Sequence, residues 1–498
     1  MTPTPIVTRA MDHHRQGRLA EAEAGYRDVI RQDPTNPDAL HLLGLIIGQA
    51  GDPQQGVALI ERSLKIAPSS PEAHFNLANL FVVLLRYADA ERHFRATYNL
   101  RPRNADAANG VGGCLLRLGD YEQAETWLAK AIEIDPACAS ALVNMGTLMD
   151  ATARFGETIA WYDRALALQP GNDDARRNRA LALLTRGRFN EGWREYACRF
   201  KTTRTFHGKF ALPYWSGENL SGRKILVWTE QGLGDEILAV SMIPDLLRAG
   251  THVVLICSPR LRGLFSRSFP GVDIIPTGGQ PEHAGVMADL AFQASVSHLG
   301  QFLRPSFETF PQHDPYLRPD AALTRALRNK YQAAGAGTSL VGISWRSNTR
   351  DGGQEKSISL LQWAPILRAA GVTFVSLQYG DTRSDIAAAE RELGVKILAD
   401  PDIDPLGDLD PVASQIAALD LTISVSNTAA HIAGAAGARA WTLVPANTSR
   451  LWYWFLERLD SPWYPNLRLF RQRGRGWESA MTDVATALAS HSLTGTAG

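Results

Sequence analysis

Three short stretches of the 498-residue chain set polar side chains where glycine, alanine or a strand end leaves room for a ligand. The first is EQGLGDEI, residues 230–237, directly after the strand-like run KILVWTE. Gly232 and Gly234 permit a tight strand-to-helix turn whose free N–H groups can sit against phosphate or sugar, with Asp235 at or near the helix N-cap. Asp235 therefore reads as a cap or as a general base, and spacing alone goes no further than the cap. The second is SVSNTAAHIAGAAG, residues 424–437. Ser426, Asn427 and Thr428 supply capping oxygens, His431 stands in the first helical turn, and the small residues leave clearance for a diphosphate or for tight packing on a sheet. The third is VGISWRSN, residues 341–348, whose strand ends in Trp345, Arg346 and Ser347, with Lys356 downstream. Cations at the carboxyl end of a strand receive negative charge, or else lie on the surface.

Two other stretches are set aside. DPDID and GDLDP, residues 400–404 and 407–411, have D-x-D spacing, but Asp410 followed by Pro411 reads as a helix N-cap with a first-turn proline, and no metal site is expected. Arg468, Arg471, Arg473 and Arg475 in SPWYPNLRLFRQRGRGW form a short basic run that reads as a solvated face.

The elements that must position these residues are strands alternating with helices: KILVWTE (224–230), VVLICS (253–258), VDIIP (272–276), VGISW (341–345), FVSLQ (374–378), VKIL (395–398), LTISV (421–425) and WTLVP (441–445). Continuous apolar strands of this kind form parallel sheets covered on both faces, with ligands at the carboxyl ends of the strands. A break around 305–340 divides them into two doubly wound halves with a cleft between.

The first two hundred residues keep another period. Pro34, Pro68, Pro102, Pro136 and Pro170 are spaced by 34, as are Gly17, Gly51, Gly119 and Gly187, with Leu85 and Ala153 in the two remaining slots. Small residues recur at Gly44, Ala78, Gly112, Gly146 and Ala180, and large ones at Tyr26, Ile60, Phe94, Leu128, Tyr162 and Tyr196. A helix-turn-helix unit repeated about six times stacks into a superhelix, because one unit cannot bury its own apolar face. The pattern resembles the tetratricopeptide repeat family. Such arrays serve as scaffolds or hold a polypeptide in a groove, where Asn76, Asn144 and Asn178 would bond a guest backbone or only their own neighbours. The expected organisation is a repeat array over 1–200, a linker at 201–222, one Rossmann-like half at 223–320, a connection at 321–340, a second half at 341–485 and a flexible tail at 486–498.

Composition bounds the function classes. Lys+Arg and Asp+Glu number 51 each, which does not advertise nucleic acid or an anionic membrane surface. The four cysteines form no C-x-x-C pair and read as buried thiols in a reducing compartment. With no apolar signal-peptide core and no membrane-spanning run, a cytoplasmic protein is expected.

Taken in order, PYWSGENLSGRKILVWTEQGLGDEI, GISWRSN, SLQYGD, ISVSNTAAHIAGAAGARAWTLVP and SPWYPNLRLFRQ resemble the glycosyltransferase-like C-terminal region of bacterial tetratricopeptide-repeat proteins, over most of residues 213–478. That region is similar to the heptosyltransferase family. The resemblance implies an α-solenoid followed by an α/β GT-B fold of two Rossmann-like parallel-sheet domains. It implies a metal-independent inverting glycosyltransferase with a nucleotide sugar as substrate and no separate cofactor. Asp235 takes the place of the family's proposed base. Arg346, or alternatively Lys356, falls at the basic phosphate contact, and Gln378 lies in the matching SLQYGD segment. Asn427, Thr428 and His431 are set against an Asp-Thr-x-x-x-His signature, which is one residue shorter here, with Asn427 placed at the family's aspartate. The architecture is also similar to O-linked N-acetylglucosamine transferases and bacterial flagellin glycosyltransferases, which implies a protein acceptor, flagellin among them. The rival expectations are a non-catalytic repeat scaffold and a transferase for a lipid-linked or polysaccharide acceptor.

Overall fold

The computed structural model describes residues 5–199, 210–278, 285–310, 315–335, 339–348, 353–446, 449–474 and 476–490. Much of the expected linker (201–209), most of the expected tail (491–498) and Arg475 lie outside the described residues. The chain forms two compact units, Met1–Ala175 and Arg176–Gly498.

In the first unit the 34-residue period becomes helix pairs: α1 (Pro5–Arg15) with α2 (Leu19–Gln32), α3 (Pro37–Gln49) with α4 (Pro53–Ile66), α5 (Pro71–Val83) with α6 (Tyr87–Leu100), α7 (Ala105–Leu118) with α8 (Tyr121–Ile134), and α9 (Ala139–Ala151) with α10 (Phe155–Leu168). The side chains of Asn36, Ser70 and Asn104 cap the first helix of successive pairs by accepting from Ala39, Ala73 and Ala107 N–H. Within a pair the small residue meets the large one: a Cβ on Gly112 would lie 2.7 Å from Leu128 Cγ, and one on Gly146 would lie 2.7 Å from Tyr162 Cε1. The turn between paired helices needs a left-handed residue. Gly17, Gly51 and Gly119 provide it, and Leu85 and Ala153 adopt φ +60° in the slots where glycine is missing.

The sixth helix pair, α11 (Asp173–Thr185) and α12 (Phe189–Tyr196), carries its apolar residues into the core of the second unit. Trp193 Nε1 donates to the Arg304 carbonyl at 3.1 Å, and Phe189 packs edge-on against Phe307. The second unit thus includes the last repeat as part of its own core.

The rest of that unit holds two sheets. The first has order β3 (Asp273–Pro276), β2 (His252–Cys257), β1 (Lys224–Trp228), β4 (Leu290–Ser295), all parallel. The second runs β10 (Asp460–Ser461), β11 (Tyr464–Arg471), β9 (Ala440–Val444), β8 (Leu421–Val425), β5 (Ser339–Ser344), β6 (Val372–Ser376), β7 (Ile397–Leu398), antiparallel only between β10 and β11. In each sheet the first strand of the half has neighbours reached by crossovers in opposite directions, β2 and β4 around β1, β6 and β8 around β5. These reversals are the switch points at which doubly wound sheets bind ligands.

Three local expectations are corrected. Within the basic run at 461–477, Tyr464–Arg471 form strand β11; Arg468 and Arg473 are exposed as a solvated face requires, but Arg471 is partly buried, donating to the Trp454, Phe455 and Arg458 carbonyls. Helix Leu409–Ala417 starts before Asp410, and Asp408 is its N-cap, accepting from Asp410 N–H. Strand β4, LAFQAS, had no alternating or continuous apolar pattern to announce it. Its buried Gln293 instead satisfies the Phe210 and Leu212 carbonyls at 3.0 and 2.7 Å.

Candidate functional site

Both switch points open toward one seam. Beyond β1 the chain turns at Gln231, a non-glycine residue at φ +67°, and enters helix Leu233–Ala239. Glu230 anchors this turn in a buried bidentate ion pair with Arg199, whose guanidinium lies 4.2 Å from the Tyr196 ring centre. Gln231 Nε2 donates to Tyr196 Oη at 2.5 Å. Gly232 is the N-cap, and its N–H donates to Asp235 Oδ2 at 3.2 Å. Asp235 therefore does cap, from the third helical position, while its carboxyl faces the seam.

Across the seam, β8 leads into helix Thr428–Ala435. A Cβ added to Gly234 would lie 2.7 Å from His431 Cδ2, so only a hydrogen at that position lets the two helices meet. Arg260 donates to the Gly407 and Pro405 carbonyls at 2.8 and 2.7 Å, Arg267 pairs with Asp410, and Tyr316 Oη donates to the Ile237 carbonyl at 2.8 Å. These bonds hold the two halves together around the site.

Lys356 ends the short helix Gly353–Lys356 and is 4% exposed. Among the described residues no hydrogen bond or ion pair reaches its ammonium, yet it acts electrostatically on Asp235 and on His431. Burial raises the Asp235 carboxyl to about 6 against the pull of the Gly232 N–H and Lys356. Burial depresses Lys356, with Asp235 opposing, and lowers His431 to about 3, with Lys356 adding to that effect. The site therefore holds a carboxyl of raised proton affinity, a buried lysine and, at neutral pH, an uncharged imidazole.

The remaining expected residues form the frame. Gln378 Oε1 accepts from the Trp345 and Arg346 N–H groups at 2.8 and 2.7 Å, pinning the end of β5. Trp345 is fully buried and donates to Asp385 at 3.0 Å, while the Arg346 guanidinium sits 3.2 Å from the same carboxylate. Ser347 N–H donates to Ser357 Oγ at 3.0 Å. Ser426 Oγ accepts from Trp454 Nε1 at 2.7 Å, and Thr428 is partly exposed at the start of its helix. Asn427 caps that helix through Ala429 N–H at 3.0 Å, and its Nδ2 donates to Ser344 Oγ and the Arg346 carbonyl at 2.8 and 3.0 Å. An aspartate has no proton to give in those last two bonds, which accounts physically for asparagine there. Gly232, Gly234, Asp235, Lys356 and His431 thus converge, whereas Trp345, Gln378 and Asn427 brace the strand ends behind them.

In the first unit Asn76 Nδ2 meets His41 Nε2 at 2.8 Å, and Asn144 Nδ2 donates to Asn109 Oδ1 at 2.8 Å, each reaching one repeat back. Asn178 is partly exposed on α11 in the second unit.

Sequence reasoning missed the aromatic side of the site. Trp193, Tyr196, Trp452, Tyr453 and Trp463 line a cavity of about 20 Å³ that reaches Asp235 and Gln231. Tyr453 lines this cavity together with Asp235, and its hydroxyl lies 3.3 Å from His431 Nε2. The run WYWF at 452–455 was the available signal, since so dense an aromatic cluster rarely lies in a plain surface loop.

Comparison with known proteins bears on both units. The tetratricopeptide repeat model matches residues 7–71 and 75–137. Type IV pilus assembly protein PilF of Pseudomonas aeruginosa is 28% identical over 133 residues, 26% of this chain and 53% of its own length. A solved tetratricopeptide repeat protein from Parabacteroides merdae, at 18% identity and TM-score 0.34, covers 40% of this chain and 77% of its own. Protein FlbA of Caulobacter vibrioides is 30% identical over 539 aligned positions, 97% of this chain and 89% of FlbA. Since that match runs through the repeats and through both sheets, the chain belongs to the family of Protein FlbA.

Proposed function

We propose that the protein is an inverting glycosyltransferase that moves a sugar from a nucleotide-sugar donor to a Ser or Thr hydroxyl of a protein acceptor held by the repeats, with flagellin the first acceptor to try. The observation that carries this reading is the placement, on opposite halves, of Asp235 and a buried Lys356 that has no partner among the described residues, near enough for each to feel the other's charge. Asp235 takes the acceptor proton as the hydroxyl oxygen bonds to the anomeric carbon, and the bond from that carbon to the phosphate oxygen breaks with its electrons leaving on the nucleotide. Lys356 and the start of helix Thr428–Ala435 face the charge that develops on the departing phosphate. No metal is required in this scheme. The cavity beside Asp235 has room for about one water-sized group, which suits a side-chain hydroxyl better than a sugar ring.

The test is an intact-mass measurement on flagellin incubated with a panel of nucleotide sugars. A sugar-sized mass gain that needs Asp235 supports the reading, and equal transfer by wild type and Asp235→Ala removes Asp235 from it.

The narrowness of that cavity also favours a second reading, a repeat scaffold whose sheet region holds its seam closed and transfers nothing. Release of free nucleotide from any donor in the panel excludes the scaffold, and binding without turnover supports it.

A further inference from the structure

The turn that delivers Asp235 is held from the last repeat. Gln231 keeps φ +67°, a left-handed conformation that glycine adopts freely and glutamine does not. Gly232 and Gly234 stand close by, yet the residue whose backbone most needs glycine carries a side chain. That side chain is in use: its Nε2 donates to Tyr196 Oη at 2.5 Å. Tyr196 ends α12, and the helix behind it has no slack. Trp193, one turn earlier, donates to the Arg304 carbonyl at 3.1 Å, and a Cβ added to Gly300 would lie 2.5 Å from Trp193 Cζ2.

Arg199, just beyond α12 and 4% exposed, holds the other side of the same turn. Its Nε donates to Glu230 Oε2 at 2.9 Å, its Nη1 to the Tyr196 carbonyl at 2.7 Å, and its Nη2 to Glu230 Oε1 and, at 3.2 Å, to Ser295 Oγ. Ser295 ends β4 and caps the helix that follows, accepting from His298 N–H at 3.2 Å. One guanidinium thus ties the last repeat to the ends of β1 and β4, in a fork geometry that a lysine cannot copy. The consequence reaches Asp235 through Gly232. Its N–H donates to Asp235 Oδ2 at 3.2 Å and its carbonyl accepts from Glu236 N–H at 3.0 Å, so the backbone angle at Gln231 sets where the donor that holds the carboxyl stands. Trp193 and Tyr196 also line, with Gln231 and Asp235, the cavity of about 20 Å³.

We propose that Tyr196 and Arg199, supplied by the last repeat, are positioning residues for Asp235: they keep Gln231 in its left-handed turn and so fix the carboxyl against the cavity that the repeat helps to wall. Their part in transfer rests on Asp235 being the base of the proposed reaction, whereas the positioning itself does not. Without the bond to Tyr196, Gln231 relaxes toward negative φ and draws the Gly232 N–H off the carboxyl.

The experiment reads the Asp235 carboxyl by 13C NMR of the full chain labelled at aspartate, between about pH 4 and 8, with the signal assigned by its loss in Asp235→Asn. Tyr196→Phe removes one oxygen and leaves the ring to pack as before. Lys356 and Glu230, the charged groups that act on this carboxyl, are unaltered. The expected midpoint is near 6 in wild type and higher in Tyr196→Phe, because the carboxylate loses the Gly232 N–H. Adding Gln231→Gly to Tyr196→Phe should bring the midpoint back toward the wild-type value, since glycine takes φ +67° without a tether. Arg199→Lys should move it upward as Tyr196→Phe does. Transfer should follow, kcat falling about 10-fold or more in Tyr196→Phe with the donor KM unchanged and recovering in the double variant. A midpoint that Tyr196→Phe leaves in place, even in a less stable protein, overturns the proposal, as does a shift that Gln231→Gly does not reduce; an unmoved midpoint in Arg199→Lys removes Arg199 from it. The two readings fail separately. A shifted and rescued midpoint without any sugar transfer keeps the positioning and removes the enzyme, and Asp235-dependent transfer untouched by Tyr196→Phe does the reverse.

Discussion

Asn427 stands where the sequence resemblance places an aspartate, and introducing the carboxylate has a calculable effect. Asn427→Asp keeps the two bonds that Oδ1 accepts, from Ala429 N–H and Ser424 Oγ, both at 3.0 Å. It removes the two that Nδ2 gives, to Ser344 Oγ and the Arg346 carbonyl. The lost bonds cost about 1 kcal/mol each, and a carboxylate oxygen set against a buried carbonyl adds about 1 kcal/mol, at the low end because Gln378 Nε2 still reaches that carbonyl. The helix N-terminus returns about 0.5 kcal/mol to the negative charge. The net expectation is a loss of about 2 to 3 kcal/mol, which shrinks as pH is lowered and the new carboxyl regains a proton to donate. Urea unfolding followed by tryptophan fluorescence reads this well, because ten of the twelve tryptophans belong to the second unit. The midpoint should fall by about 1 M at neutral pH. An Asn427→Asp protein as stable as wild type would refute the bonding assigned to this amide and return Asn427 to the list of free ligand contacts.

Three other outcomes are expected. Transfer should fall as pH drops through about 6, where Asp235 becomes protonated, whereas stability runs the other way: a carboxyl raised above its unfolded value favours the fold below that value and loses this contribution as pH rises through 6. Asp235→Asn should therefore gain on wild type in urea above that pH, by up to roughly 2 kcal/mol, while losing activity. Lys356→Met should fold at least as well as wild type, bind the nucleotide about 10-fold or more weakly by calorimetry, and shift the acid limb upward because Asp235 loses a favourable charge. Ala153→Gly, at an exposed turn with φ +60°, should raise the melting temperature of the first unit by relieving roughly 0.5 to 1 kcal/mol of left-handed strain, and an unchanged or lower value would contradict that strain.

The parts of the fold carried by periodicity were legible. A spacing of 34 announces helix pairs because each repeat solves the same packing problem, and the buried strands from KILVWTE to WTLVP announce themselves by apolar continuity. The strands that were missed include β4 and β11, which carry Gln293 and Arg471, each satisfied by distant carbonyls, and no local pattern records a partner that far away. The site divides in the same way. Gly232, Gly234, Asp235 and His431 sit just after strand ends, at helix starts, where local chemistry is visible. Tyr453 and Tyr464 come from separate segments and meet only at His431. Asn427 looked like an altered ligand in sequence because its four bonds, two of them to the end of β5 and beyond, exist only in three dimensions.

The central claim is that Asp235 and Lys356 make this a sugar transferase. It is tested most directly by single-turnover transfer at neutral pH from a nucleotide-sugar panel to flagellin, followed by intact mass. A mass gain of one sugar on a Ser or Thr of the acceptor, slowed about 100-fold or more in Asp235→Asn, is the expected result. Transfer at an equal rate by Asp235→Asn, or no transfer and no nucleotide release from any donor, would contradict it.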